Sequence, residues 1–396
     1  MRRGPLSHLT IIDASRVRAG PTAVRLFADM GARVIKLEIP RGAPGGDDMI
    51  GGRAHNRADY ENLHRSKESL TLNMKEEEGR KILNALVKDA DVFVENFRPD
   101  VKYRLGIGPE ALQAVNPRLV YASISGFGQD GPYANWPGFD SIAQGMGGLM
   151  SITGKPGEGP MRVGIPIADL CAGHFCAMGI LTALLERAVS GKGRWVHTSL
   201  LEAQIAMLDF QAAQYLVDRK VPVSNGNEHP LTVPTGVFVT SDGYLNIAAI
   251  GQTMWVRLCK ALGLESLIEK PGFRSESERV ANRAEVNAAV GEAFKSRGTA
   301  DWTEALLKAG VPCGPIYNVN QVFEDEQVRH LGIAWPLNLP QLGEVSVVGQ
   351  PFHLSGYDQK NEISPAPEQG EQTDTILSAL GYTAKRIAEL RSNHIV

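Results

Sequence analysis

Asp169 is the acid whose setting in the sequence promises chemistry. It stands in Gly164-Ile165-Pro166-Ile167-Ala168-Asp169-Leu170-Cys171-Ala172-Gly173, between an irregular segment and a strongly apolar helical run. A helix start presents the positive end of the backbone dipole. That would hold the carboxyl ionised, as a nucleophilic carboxylate must be. The same electrostatics favours aspartate as a helix cap, so the position is open to either role. Arg16, Arg18, Arg33 and Arg41 cluster near expected strand ends. Guanidinium groups there suit phosphates or carboxylates, or form a solvated basic edge. Glu38 closes a strand, where dinucleotide enzymes often place a ribose-binding acid; a solvated strand end is the other reading. His64, His174 and His197 have no His or carboxylate at metal-ligand spacing and read as ordinary hydrogen-bonded histidines. The cysteines at 171, 176, 259 and 313 form no CxxC and no zinc-like Cys/His pattern, so no metal site and no disulfide is expected. No GxSxG elbow occurs.

These residues need a frame. The pattern predicts strands over 9–13, 34–38, 91–95, 119–123 and 194–198. It predicts helices over 21–30, 77–88, 109–115, 170–189 and 200–218. Pro21 opens the first helix and Gly31 follows its end. Strand, helix and strand in short succession imply a parallel sheet and a doubly wound, Rossmann-like α/β layer structure. The first turn, Ser15-Arg16-Val17-Arg18-Ala19-Gly20-Pro21, lacks GxGxxG, so a nicotinamide cofactor is not supported. Such a turn still presents backbone N–H groups to an anion. Residues 125–166 are rich in Gly and Pro and weakly periodic, as functional loops often are. After a linker at 219–234, a hairpin over 236–249 and helices near 253–262, 281–296 and 299–309 suggest a small α+β domain. A strand at 345–348 and a helix at 383–392 follow.

Composition narrows the classes. A chain of 396 residues exceeds what one core commonly holds, so two domains are expected: 1–218 with 335–396, and 219–334. With 43% hydrophobic and 21% charged residues it is not a mainly disordered chain. A net charge of -3 leaves no basic excess for a nucleic-acid backbone. No N-terminal apolar h-region is present, and no uninterrupted apolar run reaches the roughly 18 residues of a membrane span. A cytoplasmic protein without nucleic-acid or membrane partners is therefore expected.

Several segments, in order along almost the whole chain, resemble the class III CoA-transferases, whose members include formyl-CoA transferase, carnitine CoA-transferases and succinate–glutarate-type CoA-transferases. They are Asp13 with Val17 to Pro21, Gly31-Ala32-Arg33-Val34-Ile35-Lys36, Leu72-Asn73-Met74-Lys75, and Asp91-Val92-Phe93-Val94-Glu95-Asn96-Phe97. Further on stand Ser125-Gly126-Phe127-Gly128-Gln129-Asp130-Gly131-Pro132, Asp169 with Gly173, Gly191-Lys192-Gly193, Gly226-Asn227-Glu228-His229-Pro230, and Val311-Pro312-Cys313-Gly314-Pro315.

The resemblance implies a large Rossmann-like domain built from both chain ends, an inserted smaller domain, and an interlocked homodimer. It implies coenzyme A bound as the acyl-CoA substrate, a small carboxylic acid as the second substrate, and no tightly bound cofactor. Asp169 falls on the family's nucleophile, which forms covalent aspartyl intermediates. CoA contacts fall on Arg18, Ala19, Leu72, Asn73, Met74, Lys75, Asn96, Phe97, Arg98 and Arg104. A basic contact after the second strand falls on Ile39 here, leaving Arg41 to substitute. The glycine-run lid of formyl-CoA transferase is replaced by residues 226–230. Where that enzyme has Gln, Arg18 stands and could hold either CoA or the distal carboxylate of a dicarboxylic acid. Racemases of the same fold carry Gly-His-Asp where this chain has Gly138-Phe139-Asp140, and phenylalanine cannot shuttle a proton. A CoA-binding module without chemistry would have no need of Asp169.

Overall fold

Alternating apolar runs and helical stretches fold into a parallel sheet covered on both faces. The structure, a computed structural model, describes residues 4–43, 57–358, 360 and 362–396. The first part of the chain forms β1 (Thr10–Asp13), α1 (Ala19–Asp29), β2 (Arg33–Glu38), α2 (Arg57–His64), β3 (Glu68–Thr71), α3 (Glu77–Val87), β4 (Val92–Glu95), α4 (Pro99–Arg104), α5 (Pro109–Val115) and β5 (Val120–Ser125). Then come α6 (Asp140–Met146), α7 (Leu149–Ile152), α8 (Ile167–Ser190), β6 (Trp195–Ser199), α9 (Leu200–Ala206) and α10 (Phe210–Asp218). The remainder forms β7 (Thr235–Val239), β8 (Tyr244–Ala248), α11 (Gly251–Leu262), α12 (Glu276–Ala281), α13 (Arg283–Phe294), α14 (Thr299–Lys308) and β9 (Cys313–Pro315). It ends with α15 (Val319–Glu324), α16 (Glu326–Leu331), β10 (Ala334–Leu339), β11 (Gly343–Val348), α17 (Thr373–Ala379) and α18 (Ala384–Ser392).

Strands β1 to β6 pair in parallel in the order β3-β2-β1-β4-β5-β6. The order reverses between β1 and β4. That switch point opens a crevice at the carboxyl ends of the strands, where ligands of such sheets bind. Successive side chains feed opposite cores. Ile11, Val34, Val92 and Val120 pack toward α1, α8 and α9. Ile12, Ile35, Phe93 and Tyr121 pack toward α3, α5, α17 and α18. Both faces are covered, so the strands read as unbroken apolar runs.

Two compact units emerge from the packing. One comprises the chain to Met150, Arg162–Val221 and Leu331–Val396; the other comprises Ser151–Met161 and Pro222–His330. Residues 151–161 thus cluster with the second unit, although they lie in the range assigned to the large domain from sequence. In the second unit the β7–β8 hairpin and β9 form an antiparallel sheet around Trp255, Phe273, Phe294 and Trp302. Buried Arg279 lies over Trp255 at 5.2 Å and donates through Nε to the Val233 carbonyl at 3.0 Å. In the first unit Arg65 pairs bidentately with Asp29, both fully buried, at 2.8 and 2.7 Å. Its Nη2 also donates to the Val348 carbonyl at 2.9 Å, which fastens the returning C-terminal segment to α1.

Several elements differ from the sequence-based expectation. The weakly periodic stretch 125–166 contains α6 and α7, and α2, β3 and α4 escape the apolar patterns because polar residues dominate them. The helix expected over 200–218 breaks at Asp209, whose φ is 47°, into α9 and α10. Helix α8 is long and apolar enough, by length and composition, to cross a membrane. Its Ala168, Cys171, Ala172, Cys176 and Ile180 face is nonetheless part of the core against α1 and the sheet.

Candidate active site

At the switch-point crevice lies a cavity of about 830 Å3. The eleven residues that the family resemblance assigns to catalysis or CoA contact all line it: Arg18, Ala19, Leu72, Asn73, Met74, Lys75, Asn96, Phe97, Arg98, Arg104 and Asp169. Arg16, Arg80, Ile39, Trp136 and Phe139 join them. Among the described lining residues are six cations and a single carboxylate, Asp169. Leu72, Met74, Phe97, Val101 and Leu105 supply apolar wall between the cations. Such a surface suits an elongated polyanion with apolar portions.

Each wall is braced from behind. The β1–α1 turn carries Arg16, Val17 and Arg18. Its backbone is clasped by Asn96, which accepts from the Arg16 N–H at 2.8 Å and donates to the Arg16 carbonyl at 2.7 Å. The amide of Asn96 is therefore a clamp on the turn. Val17 sits at φ 63°, a region a β-branched residue rarely adopts. Buried Asp13 accepts from the Ser15 N–H at 3.0 Å and pairs with buried Lys67 at 2.8 Å. Arg80 donates to the carbonyls of Met74 and Lys75 at 3.2 and 2.6 Å, fixing the turn after β3. Beyond β4, Glu95 accepts from the Phe97 N–H at 2.8 Å and pairs with fully buried Lys102 at 3.2 Å. The Arg16 guanidinium lies over the Phe97 ring at 5.8 Å.

Asp169 is the third residue of α8, and the residue before the helix is Pro166. Gly173, one turn further on, sets its depth. A Cβ there would lie 2.6 Å from the Ala19 carbonyl oxygen, so only glycine lets α8 press against the start of α1. Gly126 and Gly138 meet in the same way. A Cβ on Gly126 would lie 2.9 Å from the Gly138 Cα, so the glycine-rich loop folds back and delivers Phe139 and Asp140 beside α8. Buried Asp140 accepts from the Ala168 N–H at 2.9 Å and the Asp169 N–H at 3.5 Å.

The expected electrostatics is corrected here. The helix start does not hold Asp169 low. Burial, and then the charge of Asp140, push its carboxyl up to about 6, against a smaller opposing pull from Arg18. The helix N–H groups that would have stabilised Asp169 are occupied by Asp140, and that also removes the capping role considered for Asp169.

Other expectations are sorted by the same geometry. Arg18 pairs with Asp59 at 2.6 Å while lining the cavity. Arg41 does not line it and donates to Gln369 at 2.8 Å, so the wall position after β2 is held by Ile39. Glu38 is engaged with Lys36 and Ser69, and Arg33 with Glu68 at 2.9 Å; neither reaches the cavity. His64 is buried against Lys67 and Tyr60, and burial holds its ring well below the usual range, hence neutral. His197 rests on Trp195. Residues 226–230 are tied within their own unit: Arg283 donates to the carbonyls of His229 and Pro230 at 2.9 and 3.0 Å. Sequence reasoning passed over Arg80, Trp136 and Asp140. Only Asp140 carried a signal, as the acid of the Gly138-Phe139-Asp140 run.

A family model described as CoA-transferase family III matches residues 6–373. The chain is 35% identical to succinyl-CoA:glutarate CoA-transferase of Homo sapiens, covering 99% of this chain and 90% of that protein. It is 37% identical to acetyl-CoA:oxalate CoA-transferase of Acetobacter aceti, covering 93% and 94%. Among solved structures, a CAIB/BAIF family protein from Brucella suis superposes with a TM-score of 0.82 at 35% identity, covering 96% of this chain and all of the other.

Proposed function

The chain belongs to CoA-transferase family III and moves CoA from an acyl-CoA thioester to a carboxylic acid; from that premise we propose how its cavity does so. The observation that carries the proposal is Asp169, the single carboxylate among the described lining residues, in a wall that also holds six cations. Lys75, Arg98 and Arg104 hold the phosphates of CoA, whose charge their guanidinium and ammonium groups match. Leu72, Met74 and Phe97 cover its apolar portions. Ala19, Asn73 and Asn96 shape the backbone beside it.

An Asp169 oxygen attacks the donor thioester carbonyl carbon. A C–O bond forms, the C–S bond breaks, and CoA leaves as thiolate with the electron pair. The thiolate next attacks the aspartyl carbonyl and releases the donor acid, giving an aspartyl-CoA thioester. The acceptor carboxylate attacks that carbonyl and expels the thiolate, which then takes up the acceptor acyl group and frees Asp169. Each covalent step exchanges one activated carbonyl for another, so the thioester's energy is conserved so long as water is kept out.

Dicarboxylic acids are the proposed acyl partners. The names of the relatives, succinyl-CoA:glutarate and acetyl-CoA:oxalate CoA-transferase, support this class. Arg18 on the first turn lines the cavity and supports this class as a cation that would receive a second carboxylate, with CoA as its other candidate partner. The enzyme is proposed to work in the cytoplasm as an interlocked homodimer, without a resident metal or nicotinamide.

The test is covalent. Incubation with succinyl-CoA followed by hydroxylamine or borohydride should modify Asp169 alone, read by peptide mass spectrometry. Asp169→Ala should lose transfer by several orders of magnitude, because covalent catalysis disappears with the carboxylate. Near-normal turnover in that variant would refute the mechanism.

A further inference from the structure

Asp140 lies outside the residues that line the cavity, yet its carboxylate is built into the start of the helix that carries the nucleophile. It is the first residue of α6 and is buried. One oxygen takes the N–H of Ala168 at 2.9 Å and that of Asp169 at 3.5 Å. The other accepts from Gln144 Nε2 at 2.7 Å, and Arg162 approaches it at 3.8 Å from the solvent side. Gln144 also bonds the Ile165 carbonyl and the Val163 N–H, at 3.2 and 3.0 Å, so the chain leading into α8 is strapped to the same helix. A plain N-cap would serve with Ser, Thr or Asn. A full carboxylate, buried and bonded to the backbone N–H of a residue that itself carries a carboxylate, is a costly choice for capping alone.

We propose that Asp140 is a positioning residue for Asp169: it spends the helix N–H groups that would stabilise the nucleophile and sets a second negative charge beside it, a repulsion relieved when Asp169 is acylated. This rests on the covalent reading given above. In the first step one C–O bond forms and one C–S bond breaks, and the negative charge passes from Asp169 to the departing CoA thiolate. A neighbouring anion raises the energy of the ionised carboxylate but not that of the neutral mixed anhydride. Asp140 thereby makes Asp169 more basic, and a more basic oxygen is the better nucleophile once ionised.

The surroundings single out Asp140 as the anion that acts. The elements packed against α8 are α1, α6, α9, β5 and β6. From α1, Arg25 acts on His174 further along α8. From α9, Glu202 is bonded to Ser199. In β5 the residues on the α8 side, Val120, Ala122 and Ile124, carry no charge. In β6, His197 rests on Trp195. The β1–α1 turn brings Arg18, itself paired with Asp59 on α2. The charge of Asp140 also pushes the Cys171 thiol up, after burial, so its field reaches past the first turn of α8.

The experiment is the pH dependence of adduct formation on Asp169, measured by mass spectrometry in single turnovers with subsaturating succinyl-CoA. The unmodified protein should show an acid limb near pH 6. In Asp140→Asn, which keeps an oxygen acceptor for the Ala168 N–H but loses the charge, the limb should move down by roughly half to one pH unit, with a slower plateau. Asp140→Glu, which keeps the charge, should return it toward the parent value. Arg162→Gln, at a half-exposed surface position, removes the cation that offsets Asp140 and should move the limb upward. A purely structural role moves no limb, and does not move it in opposite directions. An unmoved limb in Asp140→Asn overturns the proposal; should that variant fail to fold, an unmoved limb in Arg162→Gln overturns it. Adduct formation with an unmoved limb leaves the covalent reading standing, whereas no adduct in the unmodified protein overturns both.

Discussion

Arg18 shows how one side chain comes to carry two duties. It lines the cavity, its charge lowers the Asp169 carboxyl, and its Nη2 bonds Asp59 at 2.6 Å. A guanidinium has five donors in a planar fork, so a pairing with Asp59 leaves others for an incoming carboxylate. A charged hydrogen bond of this kind contributes about 1.5–3 kcal/mol. If Arg18 receives the distal carboxylate, Arg18→Gln should cost dicarboxylates roughly 10–100-fold in kcat/KM and spare their monocarboxylate analogues. If it holds CoA instead, both acids should lose equally. Steady-state kinetics with glutarate and butyrate separates the two, and equal losses would defeat the selectivity reading. Asp169 shows the converse, one group poised between opposing neighbours. Burial and Asp140 raise its carboxyl while Arg18 lowers it, and the outcome near 6 leaves it mostly ionised at neutral pH.

At the scale of elements, the site depends on how α8 meets α1. Gly173 lets the two helices approach until a Cβ would stand 2.6 Å from a backbone oxygen and 2.9 Å from the Thr22 Cβ. Neither neighbour is the far end of a flexible side chain. Gly173→Ala must therefore push α8 outward and carry Asp169 with it. A cost of about 1–3 kcal/mol in stability follows from overpacking, measurable by urea unfolding. The loss of activity should exceed what the lost stability explains, because a shift of about 1 Å at a reacting group can cost on the order of 100-fold. Wild-type turnover in a folded Gly173→Ala protein would contradict this dependence. The clasp between Asn96 and the Arg16 backbone works on the same principle, since it fixes the β1–α1 turn to the end of β4 across the switch point.

At the scale of the molecule, the apolar surface is the unfinished part. Helix α10 buries none of its residues, although it carries Phe210, Tyr215, Leu216 and Val217. Leu216 is 67% exposed and Val217 79%. On α8 the face away from the core exposes Leu185 at 74% and Val189 at 92%. Exposed apolar side chains in this number on two helices fit an interaction face. A second copy of the chain is the proposed occupant, as the family resemblance implies. Light scattering should therefore give twice the 42.9 kDa chain mass. Leu216→Glu should shift that mass toward the single chain or lower the melting temperature in a concentration-dependent way. A single-chain mass for the unmodified protein across micromolar concentrations would rule the dimer out.

Much of this was legible in the residues themselves. Short apolar runs alternating with helical periodicity specified a parallel, doubly wound sheet, because a strand buried on both faces must be apolar throughout. The motif residues from Arg18 to Asp169 proved to share one cavity, since most of them follow the carboxyl ends of β1, β3 and β4, while Arg104 at the end of α4 and Asp169 at the start of α8 face the same crevice. What periodicity could not carry was decided by tertiary structure. Helix α6 was hidden in a glycine-rich stretch because it is held by a loop folded back at Gly126 and Gly138, not by its own propensity. The partners of Arg41 and Glu38 were invisible because Gln369 and Ser69 lie far from them along the chain. Most of all, the ionisation of Asp169 depended on which group takes the N–H donors at the start of α8. Local sequence assigns those donors to the helix's own acid, and the fold gives them to Asp140, 29 residues earlier. A field at one carboxyl is the sum over everything near it in space, and chain order records only a part of that sum.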